Sequence, residues 1–169
     1  RPLIERVMQA ASDLGKALEA ALDRGDITLA DLFSSDYQPI PGTDPPQMMA
    51  PFTALTDRLF PPVQEALLDL DPRVIFCAAV DRRGYLPTHN RKFSARPGSD
   101  PVWNAANCRN RRMFNDRVGL GAGQSTEPFL MQIYRRDMGG GQFAMMKDLS
   151  APITVQGRHW GGLRLAYRF

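Results

Sequence analysis

The sequence predicts an α+β domain in which helices gather on one face of an antiparallel sheet. Three observations carry that expectation. Residues 3–24 place apolar side chains at three- and four-residue steps, the period of one helix face. Residues 128–169 hold three strand-like runs separated by the glycine-bearing turns "MGGG" and "QGR". Helical patterns fill the chain before residue 73 and strand patterns dominate after it, the segregated order of an α+β layer fold.

The elements follow in order. Leu3, Ile4, Val7, Met8, Ala11, Leu14, Leu18, Ala21 and Leu22 make the first stripe, and Gly25 stops it. That helix, residues 1–25, reads equally as a core helix or as the continuation of a coiled coil. Residues 26–72 are helical segments and loop. Thr28 and Asp31 stand at capping-box spacing, residues 38–47 form a proline-rich connector, and residues 50–60 are helical by period. Pro61 and Pro62 interrupt that helix, and residues 63–72 add two turns. Residues 73–169 are the sheet region. "VIFCAAV" (74–80) is a buried strand, "DRRG" a turn and "YLPTHN" (85–90) a second, short strand. Residues 95–128 are an irregular helical insert, in which Asp100 caps a helix and Pro101 takes its first position. "GLGAG" (119–123) is expected to be a flexible connector. Five antiparallel strands in one sheet complete the expectation.

Composition narrows the function classes. The chain has 169 residues, 43% hydrophobic and 23% charged, which suits one globular domain with a real core. No run of eighteen apolar residues is present and no signal-peptide pattern opens the sequence. Net charge is +3, yet residues 82–117 carry eight Arg and one Lys against two Asp, which leaves the remainder acidic. The excess is nearly all arginine, whose planar fork matches carboxylate or phosphate. The confined basic stretch and the acidic remainder argue against nucleic acid as partner.

No catalytic constellation emerges. Ser94, Ser99, Ser125 and Ser150 lie outside any nucleophile-elbow pattern, and Asp116, Asp137 and Asp148 read as turn or ion-pair acids. Cys77, Cys108, His89 and His159 have no zinc-site spacing, so no metal and no cofactor is expected. A small-ligand site fits better. On the strands, Gln132, Tyr134 and Arg136 share one face, Lys147 falls in an apolar set with Phe143, Met145 and Leu149, and Trp160 shares a face with Arg164. The stretch "WNAANCRNRRMFND" (103–116) is dense in amide and guanidinium donors and is positioned to roof the sheet. The candidate lining is Trp103, Asn107, Arg109, Arg111, Tyr134, Arg136 and Lys147, with His89 as a pH-sensitive contact. The cluster is either that roof or a polar network bracing it.

The segments "VIFCAAVDRRGYLPTHN", "DPVWNAANCRNRRMFNDRVGL", "YRRDMGGGQFAMMKDLSAPI" and "GRHWGGLRLAY", with "ITLADLFSSDYQPIPGTDP" before them, resemble the C-terminal region of a group of bacterial methyl-accepting chemotaxis proteins. The strand, D-x-x-G turn and strand opening is similar to the PAS-like Cache sensor fold. That resemblance implies a five- or six-stranded sheet with a long N-terminal helix behind it and a ligand on the opposite face. It implies a sensor rather than an enzyme, placed in the cytoplasm or, alternatively, on the periplasmic side of an inner-membrane receptor. The implied partners are a small carboxylate or other polar ligand, a second copy through the N-terminal helix, and the chemotaxis histidine kinase and coupling protein through the rest of the receptor. Two other readings stand beside it: a haem- or redox-sensing domain using His89 or His159, and a ligand-free dimerisation module.

Overall fold

The computed structural model describes residues 2–169, the side chains of residues 137–139 excepted. Asp137, read from the sequence as a turn or ion-pair acid, thus has its side chain outside the described residues. In chain order the elements are α1 (Pro2–Asp23), α2 (Leu29–Leu32), β1 (Gln38–Pro39), β2 (Met48–Met49), α3 (Thr53–Leu59), α4 (Pro61–Leu68), β3 (Val74–Asp81) and β4 (Tyr85–Leu86). After a 3-10 turn at Arg91–Phe93 come α5 (Pro101–Asn107), β5 (Arg112–Met113), α6 (Arg117–Gln124), β6 (Leu130–Gly139), β7 (Gln142–Val155) and β8 (Arg158–Arg168).

The main sheet has four strands in the order β3-β8-β7-β6, every neighbour antiparallel. The last three strands are the meander expected from the glycine turns. Gly140, Gly141 and Gly157 sit at φ of 62°, 77° and 76°, where a side chain would be strained. The fifth strand does not join this sheet. "YLPTHN" contributes only β4, which pairs with β5 in a separate two-stranded ladder. Two local causes redirect the chain. The Asp81 Oδ1 accepts from the backbone N–H of Arg83 and Tyr85 and bends the turn, and Pro87, lacking an N–H, ends the strand.

Each face of the sheet is covered differently. On one face α1 lies along β7, with Val7, Ala10, Ala11, Leu14, Leu18 and Ala21 buried. They meet Leu149, Ala151, Ile153, Val155, Leu163 and Leu165, and α3 and α4 extend the layer with Phe52, Phe60 and Leu67. Full burial of Leu14 or Leu18 contributes about 1.5–3 kcal/mol each, so this face is the main source of stability. The outward face of α1 carries Glu5, Arg6, Gln9, Ser12, Asp13 and Lys16, with Met8 the exposed apolar residue. Its apolar stripe is therefore spent on the sheet, as a core helix requires.

Trp160 belongs to this helical side too, against the alternation that would group it with Arg164. The register shifts between Ile153 and Thr154, which changes the facing of the strand end. Trp160 then packs edge-on against Phe52 and Phe60 and donates from Nε1 to the Leu32 carbonyl at 2.9 Å.

The opposite face holds a smaller core of Phe76, Ala78, Val80, Leu86, Ala122, Met146 and Ala166. Over it lie the residue 91–93 turn, the β4–β5 ladder and α6. The "GLGAG" stretch is part of α6 rather than a connector. A Cβ on Gly119 would come within 2.0 Å of the Phe114 carbonyl oxygen, and one on Gly123 within 2.3 Å of the Asp81 carbonyl oxygen. The glycines serve close backbone approach, so the helix sits directly on the chain beneath it.

Candidate functional site

Between the second face and its cover is a cavity of about 170 Å³, lined by Phe76, Leu86, His89, Arg109, Phe114, Asp116, Val118, Tyr134 and Arg164. Strands β3, β6 and β8 supply the floor through Phe76, Tyr134 and Arg164. The stretch after α5, the segment before α6 and α6 itself supply the cover. The walls divide about evenly between aromatic or aliphatic side chains and convergent polar groups, the latter able to orient a small polar molecule.

The polar groups are almost all donors. Arg109 donates from Nη1 to the Ala105 carbonyl at 3.0 Å, and its guanidinium lies 5.0 Å from the centre of the Phe114 ring. It has no carboxylate partner among the described residues. Burial, together with the charges of Arg112 and Arg136, pushes its pKa down to about 10. Arg112 also donates to the Ala105 carbonyl and rests 5.0 Å over Phe114. Arg136 follows Tyr134 by two residues on the same face of β6.

His89 is buried between Phe76 and Phe93, at ring separations of 5.3 and 5.0 Å. Its Nδ1 accepts the Asn90 N–H at 2.7 Å. A neutral ring then carries its proton on Nε2. Burial first, then Arg109, Arg164, Arg112 and Arg136, hold its pKa well below the usual histidine value. His89 is thus a fixed donor at neutral pH, where the sequence pointed to a pH-sensitive contact. Burial likewise raises the Tyr134 phenol, which stays protonated.

Among the described residues, Arg164 is the one lining cation with an acid of its own. Nε and Nη2 reach the same Asp148 oxygen, Oδ2, at 3.0 and 2.8 Å, with both side chains buried. Burial pushes the Asp148 carboxyl upward, but these two short donations hold the pair ionised, and Asp148 raises Arg164 despite its burial. Asp148 Oδ1 and the neighbouring Ser150 Oγ are buried without a hydrogen-bond partner. Asp116 stands exposed at the rim.

The sequence-derived set divides. His89, Arg109 and Tyr134 line the cavity, and Arg136 acts on it through its charge. Trp103 is 46% exposed on α5, and Asn107 donates to the Trp103 carbonyl within that helix. Arg111 points away to Asp57, with Nη1 on Oδ1 and Nη2 on Oδ2 at 2.9 Å each, and also donates to the Pro87 carbonyl. Lys147 lies on the helical side of the sheet, its ammonium 5.9 Å from the Tyr167 ring centre and 4.9 Å from that of Phe169. These four do not contact the cavity. Arg164, Phe76, Phe114 and Asp116 do, and the sequence reading missed them. For Arg164 a signal existed: an arginine flanked by Leu163 and Leu165 within a buried strand.

The asparagines explain the composition of residues 103–116. Asn104 is buried, accepts the Gly98 N–H at 2.8 Å, and donates to the Asp44 and Gly98 carbonyls. Asn110 accepts from Gln47 through its carbonyl and side-chain oxygens. The stretch is chiefly a brace that ties the cover to the residue 38–57 region, and Arg109 is the residue it presents inward. No family model matches the chain, and a search of curated proteins likewise finds no match.

Proposed function

We propose that this chain is a ligand-binding sensory domain of the PAS-like Cache type, holding a small anionic molecule against Arg109, and that it serves a bacterial chemotaxis receptor. The observation that carries the reading is Arg109: a guanidinium without an acid partner among the described residues, turned into a cavity with a histidine donor and a phenol. The layer order supports it as well. The long helix packs on one face of the antiparallel sheet and the cavity opens on the other, the arrangement that the resemblance implies. In this reading the domain performs no chemistry and passes occupancy to the chemotaxis kinase and coupling protein through the rest of the receptor, on the cytoplasmic side. No helix among the described residues is long and apolar enough to cross a membrane. Dimerisation along α1, also expected, draws no support from its burial, because its apolar stripe faces the sheet.

A thermal-shift screen of small carboxylates, phosphates, amino acids and purines tests the reading. At a hundred times its dissociation constant a ligand raises stability by about 2.7 kcal/mol. The expected hit is an anion whose effect disappears in Arg109→Gln. Hits confined to neutral or cationic compounds, or hits that survive Arg109→Gln, contradict it.

A further inference from the structure

We propose that the ligand of this cavity is a compact dianion, a short dicarboxylate or a phosphate monoester, rather than a monoanion. The inference rests on the sensory reading above and specifies the charge that the site takes.

The count of charges around the cavity carries it. Arg109 and Arg164 line the wall, and Arg112 and Arg136 flank it closely enough to act on both Arg109 and His89. Asp148 is consumed by Arg164. Among the described residues the remaining acid at the wall is Asp116, at the solvent-exposed rim. With His89 and Tyr134 neutral, the described side chains at and beside the wall set four guanidiniums against two carboxylates, an excess of two positive charges around a half-open cavity. An enclosed charge without a partner is costly, and two fixed positive charges are best met by two negative ones on a single ligand. Volume sets the size: 170 Å³ is close to the roughly 150 Å³ that houses a benzene-sized molecule. The donor set agrees. Guanidinium forks match carboxylate and phosphate oxygens. The His89 imidazole and Tyr134 phenol add neutral donors that bring no competing negative charge.

The test compares probes of nearly equal size and different charge by calorimetry: succinate against monomethyl succinate, and methyl phosphate against dimethyl phosphate. Titrations run near pH 8, above the second phosphate pKa of about 6. The expected result is that at least one dianion binds tenfold or more tightly than its ester. That preference should shrink several-fold in Arg136→Gln and in Arg112→Gln, whose melting temperatures report intact folding. A preference confined to one pair names the source as dicarboxylate or phosphate. Equal affinity within both pairs, an undiminished preference in both variants, or no binding by any of the four overturns the inference. If the esters bind as tightly as the dianions through Arg109, the sensory reading stands while the dianion assignment falls. If none of the four binds and the screen also returns no Arg109-dependent anion, both fall.

Discussion

Arg164 and Asp148 form a buried ion pair on adjacent strands of one sheet face, two nitrogens converging on one carboxylate oxygen at 3.0 and 2.8 Å. Removing one partner of such a pair strands the other charge in the interior. Asp148→Asn should therefore lower stability by about 3–5 kcal/mol, read as a shift of the urea midpoint. Replacing both residues together, Asp148→Leu with Arg164→Met, should recover most of that loss, since apolar replacements of buried pairs are often neutral. A single variant as stable as the parent would mean that the pair is not buried as described.

Arg111 and Asp57 make the equivalent brace at the surface. Their side chains are 22% and 36% exposed, so the bidentate geometry is discounted for solvent. Arg111→Ala should cost about 1–2 kcal/mol from the lost charged hydrogen bonds. The left-handed backbone at Arg111, φ 64°, strains arginine and alanine alike and is relieved only by glycine. Arg111→Gly should be milder than Arg111→Ala, with melting temperature as the measure. The reverse order would show that the left-handed backbone is not retained.

The histidines set the pH response. Burial and four arginines favour neutral His89 in the folded protein, and burial favours neutral His159. The unfolded chain takes up protons as pH falls through about 6.5, while His89 in the folded chain does not and His159 does so at lower pH. Stability is therefore full above that value and declines as pH drops toward 5, by at most about 1.4 kcal/mol per pH unit from His89 and by less from the more solvent-screened His159. In His89→Gln the decline between pH 6.5 and 5 should be visibly shallower. Identical slopes in parent and variant would place the His89 ring in solvent.

The α6 glycines hold the cover of the cavity down. Gly123→Ala drives a methyl group against the Asp81 carbonyl, where no flexible side chain can give way. Overpacking of this kind costs about 1–3 kcal/mol and displaces the helix. The variant should lose anion affinity as well as stability, whereas Gly98→Ala, with open space around it, should change neither. Full stability in Gly123→Ala would remove α6 from the account.

Much of this architecture is legible in the chain because its cues are local. The α1 stripe, the Thr28 cap on the Asp31 N–H at 3.1 Å, the Asp100 cap on the Val102 N–H at 3.0 Å and the glycine turns of the meander each depend on a few neighbouring residues. What is hidden is set at a distance. "GLGAG" looks flexible in isolation, yet its glycines belong to a helix pressed so closely on the Phe114 and Asp81 carbonyls that side chains have no room. "YLPTHN" alternates like a sheet strand, and pairs elsewhere because Asp81 and Pro87 redirect it. The same limit applies to the candidate site. Strand alternation places Tyr134 and Arg136 on one face of β6 and Lys147 on the other side of the sheet. Spacing within "CRNRR" cannot tell Arg109 from Arg111, because the left-handed turn at Arg111 and the distant Asp57 carboxylate decide which guanidinium turns inward.

The cavity around Arg109 is the central claim, and one comparison tests it most directly: calorimetric titration of the tightest anion from the screen into the parent protein, Arg109→Gln and Lys147→Gln. Loss of a charge-assisted hydrogen bond, about 1.5–3 kcal/mol, should weaken Arg109→Gln roughly ten- to a hundredfold at an unchanged melting temperature. Lys147→Gln, altered on the opposite face of the sheet, should bind like the parent. Parent-like affinity in Arg109→Gln, or a comparable loss in Lys147→Gln, would contradict the account and move the site to the helical face.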